Sequence, residues 1–200
     1  MKIGIMGGTF NPIHLGHLLI AENAYDEYGL DEVIFMPAGI PPHKREGVLD
    51  KEHRCSMILE AIKDIPYFSL DRREVDSEDI SYTYITLSKL KEEHPENTYY
   101  FIMGADSLDY FINWMRTDII LEKAIILAAV RDNMDMDKMN KDKISILLKY
   151  PYGKIEFLST PEFNVSSNDI RKRVLNKQSI KYLVCDSVRE YIYDNALYED

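Results

Sequence analysis

Residues 1–20 place the tightest constraint on how this chain can fold. A short apolar run over residues 3–6 stops at Gly7 and Gly8, and apolar residues recur at helical spacing from Leu15 onward. This pattern predicts a strand, a glycine turn and a helix. Glycine has no Cβ, so a ligand can approach the backbone closely, and the helix behind the turn aims unpaired amides at that ligand. The stretch therefore predicts an anion-binding turn that suits phosphate.

A pair of histidines stands at the start of the predicted helix. His14 and His17 are three residues apart, so both rings can face one side of the first turn. Each feature alone has a plainer interpretation: Gly-Gly often forms only a tight turn, and such histidines can be half of a metal site or ordinary helix-start residues. Their combination in one short stretch is more specific. It matches neither the dinucleotide-binding fingerprint nor the Walker motif.

The composition fits one domain that spans residues 1–200. A chain of 200 residues, 46% of them hydrophobic, can bury one sizeable core. The net charge of −10 would repel nucleic acid and anionic membranes, so a polyphosphate has to be held by local basic groups and backbone amides. No apolar run approaches the roughly 18–20 residues of a membrane span, and Cys55 and Cys185 show no paired spacing. We expect a cytoplasmic protein; whether it forms a homo-oligomer stays open.

Strand and helix patterns alternate along the rest of the chain. Strands are predicted at 32–37, 68–71, 98–103, 124–130 and 154–158, and helices at 15–28, 50–64, about 81–94, 144–148, from about 166, and at 186–193. This alternation predicts the α/β class, with a doubly wound, mainly parallel sheet and a C-terminal helical segment. We further expect Arg54 to be a surface charge, Ser81 to cap a helix, and residues 131–143 to form a mobile surface segment.

Polar and basic residues follow two of these strands, at the edge where open parallel sheets bind ligands. The loop over residues 38–47 contains His43 and Lys44, which bring positive charge to an otherwise acidic chain. A solvated basic loop explains these two residues equally simply. Asp106 follows the strand that ends near residue 103 and is suited to accept a hydrogen bond from a ribose hydroxyl, although helix capping accounts for it just as well.

Two later features add candidate ligand contacts. Ser166 and Ser167 suit the start of a helix, with Arg171 close behind them, so this stretch predicts a second place for an anion. Trp114 is the only tryptophan; such a residue is most often part of the core, but a flat aromatic ring near a nucleotide site can also stack on a planar heterocycle.

The chain resembles a known enzyme family. Residues 7–17, Gly-Gly-Thr-Phe-Asn-Pro-Ile-His-Leu-Gly-His, are similar to the signature of the nucleotidyltransferase superfamily. Five later motifs follow in the order and spacing of the bacterial nicotinate-nucleotide adenylyltransferases: residues 41–44, 81–83, 104–107 with Trp114, 165–171, and 182–198. The resemblance covers essentially the full length. The chain departs from the usual family pattern at Asn11, Ile85, Met115, Asn168 and Cys185.

The resemblance implies a Rossmann-like nucleotidyltransferase fold and the transfer of AMP from ATP to nicotinate mononucleotide, with release of deamido-NAD and pyrophosphate. It implies catalytic roles for His14 and His17 at the ATP phosphates. The residues expected to bind ATP are Gly7, Gly8, Thr9, Phe10, Ser166, Ser167, Ile170 and Arg171. The residues expected to bind the acceptor are His43 and Lys44 at its phosphate, Thr83 and Trp114 at its nicotinate ring, and Asp106 at a ribose. Mg²⁺ is expected to arrive with ATP rather than at a protein metal site.

Two other functions remain open on the sequence alone. A sister adenylyltransferase would act on nicotinamide mononucleotide or phosphopantetheine; the second of these would not need the motif at residues 81–83 or Trp114. A nucleotide-sensing module would bind ATP without turnover, and the presence of both His14 and His17 argues against it.

Overall fold

Six parallel strands form one sheet at the centre of the protein. The computed structural model describes residues 1–41, 47–130, 135–161 and 163–199, without the side chains of Ala105 and Asp106. The strands are β1 (Lys2–Gly8), β2 (Glu32–Pro37), β3 (Phe68–Leu70), β4 (Thr98–Gly104), β5 (Ala124–Val130) and β6 (Ile155–Ser159). Their spatial order is β3-β2-β1-β4-β5-β6, and every neighbouring pair is parallel. The predicted doubly wound parallel sheet is confirmed.

Helices cover both faces of this sheet. They are α1 (Leu15–Tyr28), α2 (Lys51–Ile62), α3 (Thr83–Glu93), α4 (Ala105–Phe111), α5 (Thr117–Lys123), α6 (Met136–Lys149), α7 (Ser167–Leu175) and α8 (Asp186–Asp194). Helices α1, α2, α7 and α8 share one hydrophobic core, and α3 to α6 share a second core on the opposite face. Side chains of a strand alternate between faces, so Tyr100 and Ile102 of β4 join the first core, whereas Tyr99 and Phe101 join the second.

The chain reverses its direction across the sheet between β1 and β4. From β1 it proceeds outward to β2 and β3, and it then returns to build β4, β5 and β6 on the other side of β1. In open parallel sheets, ligands bind beyond the carboxyl ends of the strands at such a reversal. Gly7 and Gly8 end β1, and Gly104 ends β4, so backbone without side chains lines the crevice at this point.

The predicted glycine turn is wrong in its position. Gly7 and Gly8 still belong to β1, and neither has a left-handed backbone; that conformation falls on Phe10, with φ 49°. Close packing disfavours a side chain at both glycines instead: a Cβ at Gly7 would stand 3.3 Å from the Phe101 ring, and one at Gly8 would stand 3.2 Å from the Phe10 ring.

Three further local predictions are wrong. Arg54 is buried, with an exposed fraction of 1%, because backbone carbonyls surround its guanidinium. Ser81 does not cap α3, which begins at Thr83; its hydroxyl accepts a hydrogen bond from the Gly39 amide instead. Of the segment predicted to be mobile, residues 136–143 belong to helix α6, because the Asp135 side chain accepts a hydrogen bond from the Lys138 amide and caps the helix start; residues 131–134 lie outside the described residues.

Among the described residues, no helix has both the length and the apolar character that crossing a membrane requires.

Candidate active site

Two cavities lie at the carboxyl ends of β1 and β4, and Gly7 lines both of them. The first, which we name the histidine cavity, has a volume of about 360 Å³ and is bounded by the starts of α1 and α7. The second, which we name the tryptophan cavity, has a volume of about 420 Å³ and lies between β1, the start of α3 and Trp114. Because Gly7 has no side chain, only backbone separates the two spaces at this point.

His14 and His17 stack on one another in the wall of the histidine cavity. Their ring centroids are 3.7 Å apart and their planes differ by 22°. His14 is the residue before α1, and its backbone N–H donates a hydrogen bond to Nδ1 of His17 at 3.2 Å. In the neutral His17 ring the proton must therefore sit on Nε2, since Nδ1 acts as the acceptor. This arrangement fixes both the tautomer and the orientation of the ring.

The surroundings of His17 keep its ring neutral. Burial among protein atoms lowers the pKa of His17 well below its usual value, and the neighbouring His14 lowers it further. The Phe10 ring meets the His17 ring edge-on, at a centroid distance of 5.0 Å. His17 nevertheless keeps some exposed surface, where it lines the cavity. It can thus offer a neutral N–H donor to an anion without carrying a full charge.

The start of α7 supplies the opposite wall of the histidine cavity. Ser166 caps this helix by accepting a hydrogen bond from the Asp169 amide at 3.1 Å. The Ser167 hydroxyl donates to the Pro12 carbonyl at 2.8 Å, and Arg171 Nη1 donates to the Asn11 carbonyl at 2.7 Å. These two bonds hold α7 against the segment that leads into α1. The two predicted anion sites, one at the start of α1 and the other at the start of α7, are far apart in sequence but both line the histidine cavity.

Not every residue of the predicted ATP site presents its side chain to this space. The side chains of Phe10 and Ile170 are buried in the core, and neither lines the histidine cavity. Ile170 stabilises the position of α7, and Phe10 packs between His17 and Phe35. Gly8 and Thr9 line the tryptophan cavity rather than the histidine cavity.

Thr83 and Trp114, which the family resemblance assigns to the same ring, both line the tryptophan cavity. Trp114 is half-buried, and its ring meets Phe111 and Phe101 edge-on at centroid distances of 5.4 and 6.1 Å. Thr83 is the first residue of α3, and the side chain of the preceding Tyr82 makes no capping hydrogen bond. A planar aromatic group with an anionic substituent suits this slot, since aromatic rings line it and a helix start faces it.

The sequence analysis does not predict a half-buried carboxyl group in the tryptophan cavity. Glu74 lines the cavity, and Oε1 of its side chain accepts a hydrogen bond from the Thr86 hydroxyl at 2.6 Å. Burial raises the pKa of Glu74 above its usual value. The backbone of Glu74 also touches Gly39, where a Cβ would stand 2.1 Å from the Glu74 carbonyl oxygen. No local sequence pattern around residue 74 predicts these contacts, because Gly39 lies far away in sequence.

Arg54 is a second residue whose contacts in the interior the sequence analysis does not predict. Its Nη1 donates to the Thr9 carbonyl at 2.8 Å, and its Nε donates to the Leu49 carbonyl at 3.0 Å. The guanidinium thus joins the stretch after β1 to the residues just before α2. A signal was present: Arg54 precedes Met57 and Ile58 by three and four positions, so helical spacing places it on the inward face.

Three predicted acceptor contacts lie outside the part of the chain that the structure describes. His43 and Lys44 fall within residues 42–46, and the structure describes Asp106 without its side chain. Their predicted roles remain predictions.

Comparison with known proteins gives the family. The Cytidylyltransferase-like family model matches residues 5–173. A protein of Lachnoclostridium phytofermentans, named probable nicotinate-nucleotide adenylyltransferase, is 45% identical over 198 residues, which cover 98% of each chain. The nicotinate-nucleotide adenylyltransferase of Bacillus subtilis is 40% identical over 199 residues, covering 99% of this chain and 98% of its own. This chain is a nicotinate-nucleotide adenylyltransferase family member.

A solved structure shares the fold of this adenylyltransferase. The Plasmodium falciparum nicotinic acid mononucleotide adenylyltransferase complexed with NaAD aligns with a TM-score of 0.81, at 23% identity, over 99% of this chain and 97% of its own. At that identity the likeness concerns the fold. The resemblance noted in the motifs of this adenylyltransferase is therefore confirmed both by its close relatives in sequence and by its architecture.

The lowered pKa of His17 makes the stability of this adenylyltransferase depend on pH. The unfolded chain binds a proton on this histidine at about pH 6.5, whereas the folded chain does so only at lower pH. The free energy of unfolding should therefore fall as the pH drops below about 6.5, with a contribution approaching about 1.4 kcal/mol per pH unit. Urea denaturation between pH 8 and pH 5 measures it, and His17→Gln should flatten the curve. Parallel curves for the two proteins would contradict the assignment.

Proposed function

We propose that this adenylyltransferase joins AMP from ATP to nicotinate mononucleotide in NAD biosynthesis. A phosphate oxygen of the mononucleotide attacks the α-phosphorus of ATP, a new P–O bond forms, and the bond to the β-phosphate oxygen breaks, so that pyrophosphate leaves with the electron pair. Deamido-NAD is the other product. The observation that carries the proposal is that the histidine cavity and the tryptophan cavity meet at Gly7, where a donor and an acceptor can face each other across backbone alone.

The histidine cavity suits ATP. We assign His14 and His17 to the phosphates and to the charge that develops in the transition state, with the backbone at Gly7 beside them. Ser166, Ser167 and Arg171 would hold the β- and γ-phosphates, since the start of α7 and a guanidinium favour anions. A transfer of this kind needs positioning and charge stabilisation more than a protein nucleophile.

The tryptophan cavity suits the nicotinate part of the acceptor. Trp114 would stack on the ring, and the first amides of α3, beginning with Thr83, would bind its carboxylate. Gly8 and Thr9, which line this cavity, would lie near the acceptor phosphate rather than deep in the ATP site. His43 and Lys44 are proposed to bind that phosphate as well, and Asp106 to bind a ribose.

Mg²⁺ is proposed to accompany ATP. Among the described residues no group of three metal-ligating side chains is present, and no carboxylate lines the histidine cavity. A cavity wall without carboxylates fits a cation that is coordinated by the phosphate oxygens of ATP, as is usual for Mg²⁺. When bound there, it neutralises charge on the departing pyrophosphate.

Both described cysteines, Cys55 and Cys185, are free thiols, which supports a cytoplasmic location.

The function is tested by measuring pyrophosphate release from ATP and Mg²⁺ with each acceptor in turn. Nicotinate mononucleotide should give the highest kcat/KM, nicotinamide mononucleotide a lower one, and phosphopantetheine no release, because the start of α3 favours an anionic ring substituent. A higher kcat/KM with the amide would reassign the acceptor. Release with none of the three would favour a nucleotide sensor instead.

Removal of the His17 ring should slow the chemical step. His17→Ala is expected to lower kcat by at least roughly tenfold, because a hydrogen bond to developing charge contributes a couple of kcal/mol or more. Steady-state kinetics at saturating ATP measure the loss. His53→Ala is the matched control, since His53 bonds Tyr191 and lines neither cavity. A smaller loss in a folded His17→Ala protein would exclude the transition-state role.

Truncation of Trp114 should weaken binding of the mononucleotide. Trp114→Ala is expected to raise KM for nicotinate mononucleotide roughly three- to tenfold, because stacking contributes about 0.5–1.5 kcal/mol beyond area burial. Trp114→Phe, which keeps an aromatic face, should lose less. The KM for ATP serves as the internal control and should stay constant. If the mononucleotide KM does not change, Trp114 belongs to the core and does not stack on the acceptor.

A further inference from the structure

The C-terminal tail ends in an unusual backbone. After α8, Ala196 and Tyr198 both have left-handed conformations, with φ 48° and 65°. Such a backbone is unfavourable at a residue other than glycine and persists only where other contacts hold it. Leu197, between them, is buried in the first core and donates its amide to the Ile192 carbonyl at 3.0 Å. The tail is therefore held firmly in a conformation that the chain does not adopt freely.

This conformation brings the Tyr198 side chain to the segment between β1 and α1. Its hydroxyl donates to Oδ1 of Asn11 at 2.9 Å, across 187 positions of sequence. Tyr198 is half-buried, and burial raises the pKa of its hydroxyl despite the nearby Arg54 and Arg171. The hydroxyl is thus a protonated donor at every pH of interest. None of the roles proposed above uses this residue.

Asn11 passes the contact on to the histidine cavity. Its side chain is buried; Oδ1 accepts from the Tyr198 hydroxyl at 2.9 Å and more weakly from the Leu49 amide at 3.4 Å, and Nδ2 donates to the Gly47 carbonyl at 3.0 Å. Its backbone carbonyl accepts the hydrogen bond from Arg171 Nη1 at 2.7 Å. With its side chain fixed on both sides, Asn11 holds that carbonyl in place, and the carbonyl orients the Arg171 guanidinium at the edge of the cavity.

We propose that Tyr198 is a positioning residue for ATP, acting through Asn11 on Arg171. Tyr198 lines neither the histidine cavity nor the tryptophan cavity, so it is not placed to touch a substrate. Its hydroxyl fixes the amide of Asn11, and Asn11 in turn sets the direction from which Arg171 meets the β- and γ-phosphates. The inference rests on the proposed function in one respect, namely that the histidine cavity binds ATP.

Tyr198→Phe tests this with the loss of one oxygen atom. Titration of the full chain with a non-hydrolysable ATP analogue, in the absence of acceptor, should show about three- to tenfold weaker binding than in the unchanged protein, the effect of one hydrogen bond. In turnover, KM for ATP should rise while KM for nicotinate mononucleotide stays constant. Tyr191→Phe is the matched control: it also removes a bonded tyrosine hydroxyl, but the partner is His53 in α2.

A double substitution separates the proposed route from a general loss of stability. In an Asn11→Ala background, Tyr198→Phe should weaken ATP-analogue binding no further, because the acceptor of its hydrogen bond is gone. Equal analogue affinity in the Tyr198→Phe and unchanged proteins overturns the inference. The inference is also overturned if Tyr198→Phe raises KM for ATP and KM for nicotinate mononucleotide equally and lowers the unfolding midpoint, because a purely structural residue would have this effect.

The outcomes also distinguish this inference from the proposed function. If the unchanged protein binds the analogue but releases no pyrophosphate with nicotinate mononucleotide, the proposed reaction is wrong. The binding titration still tests whether Tyr198 positions the ATP site. If the unchanged protein turns over normally and Tyr198→Phe matches it in ATP affinity, only the inference about Tyr198 fails.

Discussion

The site depends on the close contact of two aromatic rings with the bare backbone at the end of β1. Phe101 of β4 lies against Gly7 on one face of the sheet, and Phe10 folds back against Gly8. A Cβ at either glycine would stand only 3.2 to 3.3 Å from a ring carbon, tighter than side chains normally pack. The glycines therefore let β1 and β4 end side by side at the reversal of the sheet, with both cavities beside them.

Most of the fold follows from local sequence, because buried parallel strands are continuous apolar runs. The bounds of β2 and β5 coincide with those expected, and Gly29 ends α1 in the left-handed conformation typical of a helix C-terminus. The error over α6 has a physical reason. A surface helix needs only a narrow apolar stripe, here Met139 and Ile146, so a polar composition does not exclude it.

The candidate site is predictable where a function needs a residue type at a fixed short spacing. The two histidines and the paired serines are predicted in this way, whereas the ligand role of Trp114 comes from its ring chemistry and the family resemblance; the structure brings all five residues to the two cavities. Contacts between segments that are distant in sequence cannot be predicted from local spacing. The bonds from Arg54 to Thr9 and from Tyr198 to Asn11 join residues 45 and 187 positions apart, and no periodicity connects such pairs. The charge of Arg54 also suggested the surface, although carbonyl oxygens can hold a guanidinium in the interior.

Gly7 has a consequence for how the reaction ends. If ATP and the mononucleotide bind as proposed, they enter as separate molecules, one on each side of this residue, whereas the dinucleotide product is one molecule that lies across the strand end and occupies both cavities. Its release requires withdrawal from the histidine cavity and the tryptophan cavity together. On that proposal, a side chain at position 7 would obstruct the joined molecule more than either separate substrate, because only the product lies on both sides of this residue at once.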